Sequence, residues 1–398
     1  MDTLFSEKPP WKCVEWMRSL AWDSASILFA PWIHKHNETA HTMKESIGSL
    51  DKAHRWELAK KMVNPYELVY THGDERLPTS LSLAQPLSRS YFKMIEMLDV
   101  LDFFKRIGTS KIRTAHVAEG PGGFIQAILG AAENKQKTIT NTYAMTLRPN
   151  TPHVPGWKKA VTFLFKHRQV KVLYGEDGTG DIYSRTNQDM FVSTCGPAST
   201  HIFTADGGFD FSVDYAQQEQ KVYHLLLCSV TIGFQVLRKQ GTFVIKLFDC
   251  ESPNTQFLVA FMARHFEEWT LYKPAMTRPC NSERYFLGRG FRGLSETALD
   301  LLYTLQAKSA EGLFPMSQEG LLTHLENDFI QRHLEKTVNL QIKSIELAIQ
   351  LSENPRTWFQ SWYKDCLDKS YLWCETFRIV ANPKAEHLRQ FQARFAEV

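Results

Sequence analysis

Two lysines and two carboxylates stand where local sequence gives a charged side chain little reason to be. Lys246 lies inside FVIKLF, with apolar residues on both sides. Strands covered on both faces read as unbroken apolar runs, and lysine is almost never fully buried unless it is paired. Asp206 follows IFTA and precedes Gly207 and Gly208, the pattern of a strand end. Lys93 sits among Tyr91, Phe92, Met94 and Ile95, and Glu283 precedes RYFLG. An ion pair between Lys246 and Asp206 is the plain structural alternative to a catalytic role. Gathered in one place, the four suit removal of a proton from a poor acid such as an alcohol. A free lysine has a pKa of about 10.4; desolvation and a neighbouring cation lower it. Lys246 is therefore expected to be the general base, with Lys93 lowering its pKa and steering the hydroxyl. Asp206 is expected beside both the nucleophile and a positively charged donor, and Glu283 to orient the lysines. The rest of such catalysis is alignment. The scheme calls for no metal.

A second group of residues could hold a ligand. Residues 118–124 read AEGPGGF, giving Glu119, Gly120, Pro121, Gly122, Gly123 and Phe124 after a short apolar run. Ligands of open α/β sheets bind outside the carboxyl ends of the strands, and glycine there lets a ligand approach the backbone. Neither GxGxxG nor GxxxxGK[ST] is present, which argues against a dinucleotide fingerprint and a P-loop. Glu119 can pair with a cationic or amino-bearing ligand. S-adenosylmethionine offers both features, a sulfonium and an amino-acid head. Asp177, in YGEDGTGDI (174–182), is expected to accept a hydrogen bond from an adenine amino group; a turn-forming role is its alternative.

The elements that must position these residues fall into three zones. Residues 1–80 read as a helical N-terminal extension, with helical spacing in DKAHRWELAKKM (51–62). Residues 81–293 alternate strands and helices: a helix over 86–107, strands at 113–119, 140–147, 170–177, 200–208 and 241–249, a long helix over 214–238, and strand-like WTLYKP and RYFLGRGF. That alternation predicts a parallel α/β sheet. Residues 294–398 show 3.6-residue spacing and no convincing strand, so they read as a helical C-terminal region. Net charge is +3, from 46 basic and 43 acidic residues, so any nucleic-acid surface has to be a local patch. Seven cysteines without a CxxC pair suggest reduced thiols and no zinc site. No signal peptide and no membrane-spanning apolar run are apparent.

SRSYFK (88–93), AEGPGGF (118–124), DGTGDI (177–182), TADGGFD (204–210), GTFVIKLF (241–248) and RPCNSERYFLG (278–288) together resemble the FtsJ-like ribose methyltransferase family. The motifs stand in the family's order. The resemblance implies a Rossmann-like S-adenosylmethionine-dependent methyltransferase sheet and a Lys-Asp-Lys-Glu tetrad at Lys93, Asp206, Lys246 and Glu283. It implies S-adenosylmethionine as cofactor, bound by Glu119 to Phe124 with Asp177 and Asp206, and RNA as substrate. The RPxNSERY and DGTGD stretches and the long flanks look most like cap-specific mRNA 2′-O-methyltransferases of eukaryotes and large DNA viruses. The implied target is then the first or second transcribed nucleotide of capped mRNA. Arg278 and Arg292 are the expected phosphate contacts, and the helical extensions could meet capping or transcription machinery. A cellular enzyme of this kind is expected in the nucleus, and a viral one in host cytoplasm or the virion. Two alternatives stay open: a 2′-O-methyltransferase of ribosomal or transfer RNA, and a silent RNA-binding scaffold. One departure stands out. YAMTLRPN lacks the acid that many methyltransferases place after the second strand for the cofactor ribose.

Overall fold

In the computed structural model, the described residues are 7–22, 27–35, 37–52, 55–71, 76–149, 156–208, 217–316, 323–353 and 355–395. The chain opens with two short strands, β1 (Met17–Arg18) and β2 (Phe29–Ala30), and two helices, α1 (Glu38–Lys52) and α2 (Trp56–Met62). The central part runs α3 (Ser90–Val100), α4 (Phe103–Arg106), β3 (Lys111–Val117), α5 (Gly123–Asn134), β4 (Thr138–Met145), α6 (Val161–Lys166), β5 (Val170–Leu173), α7 (Arg185–Cys195) and β6 (Thr200–Ala205). It continues with α8 (Gln218–Val236), β7 (Leu237–Leu247), α9 (Pro253–Arg264), β8 (Phe266–Tyr272) and β9 (Arg284–Phe291). Last come α10 (Glu296–Ala310), β10 (Phe314–Pro315), α11 (His324–Glu353), α12 (Pro355–Thr376) and α13 (Lys384–Phe395).

Eight strands form one sheet in the order β1-β8-β9-β7-β6-β3-β4-β5. The pairs β3/β4, β4/β5, β3/β6 and β6/β7 are parallel. The fold is therefore α/β with a mainly parallel sheet, but the sheet is mixed. Strand β9 runs antiparallel to both β7 and β8, and β1 antiparallel to β8. Strands β8 and β9 are joined by the 273–283 loop without a helical crossover, which reverses the chain, whereas parallel neighbours need a crossover. From β3 the chain steps outward to β4 and β5, then returns to lay β6 on the other side of β3. The reversal leaves a crevice beyond the carboxyl ends of β3 and β6, where ligands of such sheets bind.

Packing fixes this arrangement. Helix α8 lies on the sheet through buried Leu226, Leu227, Val230 and Phe234. Gly233 permits that closeness: a Cβ there would sit 2.6 Å from Phe203 and Phe243. Those two rings stack at 5.3 Å beneath the helix. A separate cluster joins Trp56, Met62 and Leu68 to Ile345, Trp362 and Trp373, tying the N-terminal and C-terminal helices together.

Three details depart from the sequence expectation. The N-terminal 80 residues supply β1 to the sheet edge, and β2 pairs with β10 of the C-terminal region. Two-residue strands carry too little periodicity to be read. The expected helix over 86–107 divides into α3 and α4, because Asp102 takes a left-handed conformation (φ 49°). Of the expected helix over 214–238 and the TADGGFD motif, residues 214–216 and 209–210 lie outside the described residues. No helix among the described residues is long and apolar enough to cross a membrane.

Candidate active site

The four charged residues meet. Lys93 projects from the first turn of α3, and its Nζ lies 2.5 Å from Glu283 Oε1, just before β9. Lys246, near the end of β7, donates to the Asp206 carbonyl at 2.7 Å, and its Nζ is 3.3 Å from Asp206 Oδ1. The parallel pairing of β6 and β7 brings these strand ends side by side. Each lysine thus has its own carboxylate, and Tyr285 joins the two pairs. Its buried hydroxyl donates to Asp206 Oδ1 at 2.8 Å and lies 3.1 Å from Glu283 Oε1. Thr277 donates to the same Glu283 oxygen at 3.1 Å.

The electrostatics differ from the sequence expectation. Burial pushes the Lys246 ammonium toward the neutral form, but Asp206, Glu283 and Glu119 outweigh it, and the pKa lies above the ordinary lysine value. Burial likewise pushes the Glu283 carboxyl up, yet Lys93 and Lys246 reverse this and hold it well below the usual range. The lysine cluster alone therefore does not make Lys246 a base. Lys93 spends its charge on Glu283, and the balance around Lys246 is negative.

The glycine loop lies beside this group. Gly122 has φ 100°, which favours glycine, and a Cβ on Gly123 would sit 2.2 Å from Ser90 Oγ. The loop is thereby pressed onto the start of α3, the helix that carries Lys93. Glu119 turns inward. Its Oε1 accepts from Thr204 on β6, and its Oε2 faces His116 Nδ1 at 3.3 Å. His116 is itself held between Thr114 and Thr204 at 2.8 and 2.7 Å. Burial pushes the Glu119 pKa up. Gly207 and Gly208 line the neighbouring strand end, where a Cβ on Gly208 would sit 3.4 Å from Lys246 Nζ.

Other expected site residues are engaged elsewhere. Asp177 Oδ1 accepts from the Thr179 amide at 2.8 Å, from its hydroxyl at 2.6 Å and from Asn187 Nδ2 at 2.9 Å. It shapes its own turn, and these bonds lower its pKa. Arg278 pairs with buried Glu67 at 2.8 Å, and Glu67 also pairs with Arg89 at 3.0 Å. Arg292 is removed from the site: it follows β9 at the end opposite Glu283 and donates to the carbonyls of Ser19, Leu20 and Arg264. Its guanidinium satisfies chain turns there and reaches no tetrad residue.

Several supporting residues were not read from sequence. Tyr285 had a usable signal, standing two positions after Glu283 and so on the same side of an extended segment. Lys273 donates to the carbonyls of Asn281 and Glu283 at 2.6 and 2.9 Å, and burial brings its ammonium down to about 7. Glu96, one turn after Lys93, is buried. It accepts from Tyr272, from Ala275 N at 2.8 Å and from Trp373 Nε1 at 2.8 Å. Its partners come from β8, the following loop and α12, so no local pattern announces them.

The FtsJ-like methyltransferase family model matches residues 86–291, a span that holds all four charged residues. The chain belongs to this family. Among curated relatives, cap-specific mRNA (nucleoside-2'-O-)-methyltransferase 1 of Homo sapiens is 30% identical over 247 residues, 58% of this chain and 28% of the relative. The Drosophila melanogaster protein of the same name is 31% identical over 182 residues, 45% of this chain and 22% of the relative. The chain thus spans less than a third of the length of these relatives. A solved structure described as a ribosomal RNA methyltransferase from Plasmodium falciparum aligns with 52% of this chain and 99% of its own, at 18% identity and a TM-score of 0.34.

Proposed function

We propose that this chain transfers a methyl group from S-adenosylmethionine to a ribose 2′-hydroxyl of RNA, at the first or second transcribed nucleotide of capped mRNA. The observation that carries the reading is the meeting of Lys93, Asp206, Lys246 and Glu283 beside the β3/β6 crevice. The names of the curated relatives support the capped substrate. In the same reading, residues 81–293 form the methyltransferase domain, between an N-terminal extension over 1–80 and a C-terminal region over 294–398.

The residues present suit the cofactor. The 120–124 loop and Gly207–Gly208 lie at the adjoining carboxyl ends of β3 and β6, with no side chain on Gly122, Gly123, Gly207 or Gly208 to cover the backbone, and Asp206 offers a carboxylate beside them. Glu119 would act from beneath the loop, held by His116 and Thr204. Asp177 would hold the 175–181 turn in place. Bound S-adenosylmethionine supplies a methyl group on a sulfonium. Lys246 Nζ, after releasing its resting proton to solvent, accepts the proton of the ribose hydroxyl. At rest Lys246 is protonated, because the carboxylates around it outweigh its burial. A positive charge beside Asp206 lowers that pKa, so proton acceptance is conditional on a cationic ligand. Lys93 steers the hydroxyl oxygen, Glu283 fixes Lys93, and Tyr285 keeps the carboxylates at a constant spacing. Such base catalysis contributes roughly 10²–10⁴-fold.

The test offers methyl-labelled S-adenosylmethionine with short capped and uncapped RNAs, then digests the product and maps the label. Label on the ribose of the first or second nucleotide of capped RNA alone is expected. Equal labelling of uncapped RNA would point instead to ribosomal or transfer RNA. Binding of RNA with no transfer would point to a scaffold.

A further inference from the structure

Charge is unevenly distributed along the chain. No Asp or Glu occurs between Glu133 and Glu176, whereas eight Lys or Arg do. In a chain with 43 acidic residues, so long an interval is out of keeping with the average. This interval builds β4, α6 and β5, the outer end of the sheet, with β5 as the edge strand. Lys158, Lys159, Lys166, Arg168 and Lys171 are all exposed, and no ion pair to a carboxylate is formed by any of them among the described residues. Two apolar side chains stand out among them: Val161 is 65% exposed and Phe165 68%. The Arg168 guanidinium lies 4.3 Å from the Phe165 ring centroid.

A lysine on an edge strand has an ordinary explanation, because it discourages pairing with another chain. That accounts for Lys171. It does not account for Lys158, Lys159, Lys166 and Arg168, four exposed cations that flank the exposed Phe165 in sequence before the strand. The face also begins at the candidate site. Trp157, next to Lys158, packs so close to the glycine loop that a Cβ on Gly122 would sit 3.1 Å from Trp157 Cζ3. Cations that track a backbone, together with a ring on which a base can stack, are what single-stranded nucleic acid needs.

We infer that the face of α6 and the β5 edge holds the single-stranded RNA that flanks the methylated nucleotide, with Lys158, Lys159, Lys166 and Arg168 on phosphates and Phe165 as a stacking platform. The inference rests on the RNA reading above. An acidic protein segment would satisfy the cations but leave the exposed ring without a purpose.

The test is fluorescence anisotropy with a labelled capped RNA of about 20 nucleotides, over a series of salt concentrations. The variant carrying Lys158→Glu, Lys159→Glu and Arg168→Glu is expected to bind at least about tenfold more weakly. Its slope of log affinity against log salt should fall by about 2, from about 0.7 per lost phosphate contact on a single strand. Phe165→Ala should weaken binding about fivefold, a stacking loss, and leave the slope unchanged. Unaltered affinity and slope in the triple variant would overturn the inference. So would retained RNA affinity with lost binding of polyglutamate, which would assign the face to an acidic protein. Thermal unfolding of each variant checks the fold. Lys246→Ala, run in parallel, should stop methyl transfer and keep RNA affinity. A wrong reaction therefore shows in the transfer assay, and a wrong surface in the anisotropy.

Discussion

The two lysine–carboxylate pairs are built in different ways. Lys246 and Asp206 come from adjacent parallel strands, and backbone pairing brings their ends together whatever lies around them. Lys93 and Glu283 come from a helix and from the approach to an antiparallel strand, 190 residues apart in sequence. Their alignment depends on packing against β8 and the C-terminal helix α12, through Glu96, Tyr272 and Trp373. The first pair belongs to the sheet, and the second is held in place by surrounding helices. Damage to the sheet pair should therefore fall on chemistry. Damage to the helix-held pair should fall partly on stability.

The largest effect is expected from Asp206→Asn. It removes the carboxylate that holds Lys246 Nζ and the Tyr285 hydroxyl in place and that would face the positive methyl donor, and it should lower turnover about a thousandfold, or about 4 kcal/mol. It should also shift the acid limb of the pH–rate profile. Lys246 is held above its ordinary value chiefly by Asp206 against the pull of burial. Without that charge the lysine loses its proton more readily, and the midpoint moves to lower pH. An upward shift would break the assignment of Asp206 as the raising charge.

On the helix-held side, Trp373→Phe keeps an aromatic ring but removes the donor to Glu96 Oε2. An unmet buried acceptor costs about 1–3 kcal/mol, to be seen as a lower melting temperature. Turnover should fall less than for Asp206→Asn.

A smaller, pH-dependent effect belongs to Glu96. Burial raises its pKa to about 7, partly offset by hydrogen bonds from Trp373 and Tyr272. An acid with a raised folded-state pKa binds more protons folded than unfolded, so stability falls as pH climbs. The fall should run from the free carboxylate range to about 7 and then level off. Glu96→Gln should flatten that part of the melting-temperature profile; an unchanged profile would place the dependence elsewhere. The smallest effect is expected for Arg292→Ala, with kcat/KM on capped RNA within about twofold of wild type. A tenfold loss would return Arg292 to the substrate path.

Sequence legibility follows the same division. Lys246 was legible because a strand-interior lysine conflicts with its surroundings, and Asp206 because glycines mark the strand end. Lys93 and Glu283 were readable through family motifs alone, since nothing near either residue requires a charge. The parallel strands were legible from their apolar runs. The short edge strand β1 and the reversed direction of β9 were not, because pairing direction lies in the connection and leaves no mark in strand composition. Asp177 shows the limit of local reading: an acid in a glycine-rich turn suits both a ligand contact and a turn, and the hydrogen bonds of its Oδ1 go to Thr179 in the turn and to Asn187. The raised Lys246 pKa was also out of reach, because it sums charges from β6, the glycine loop and the approach to β9.

The most direct measurement replaces Lys246 by arginine. Arginine keeps the positive charge beside Asp206 but holds its proton at every accessible pH. If Lys246 accepts the ribose proton, Lys246→Arg should lose methyl transfer to capped RNA by at least about a hundredfold, while S-adenosylmethionine binding, measured by calorimetry, stays close to wild type. Near-normal transfer by Lys246→Arg would mean that charge alone suffices there, and would contradict Lys246 as the base.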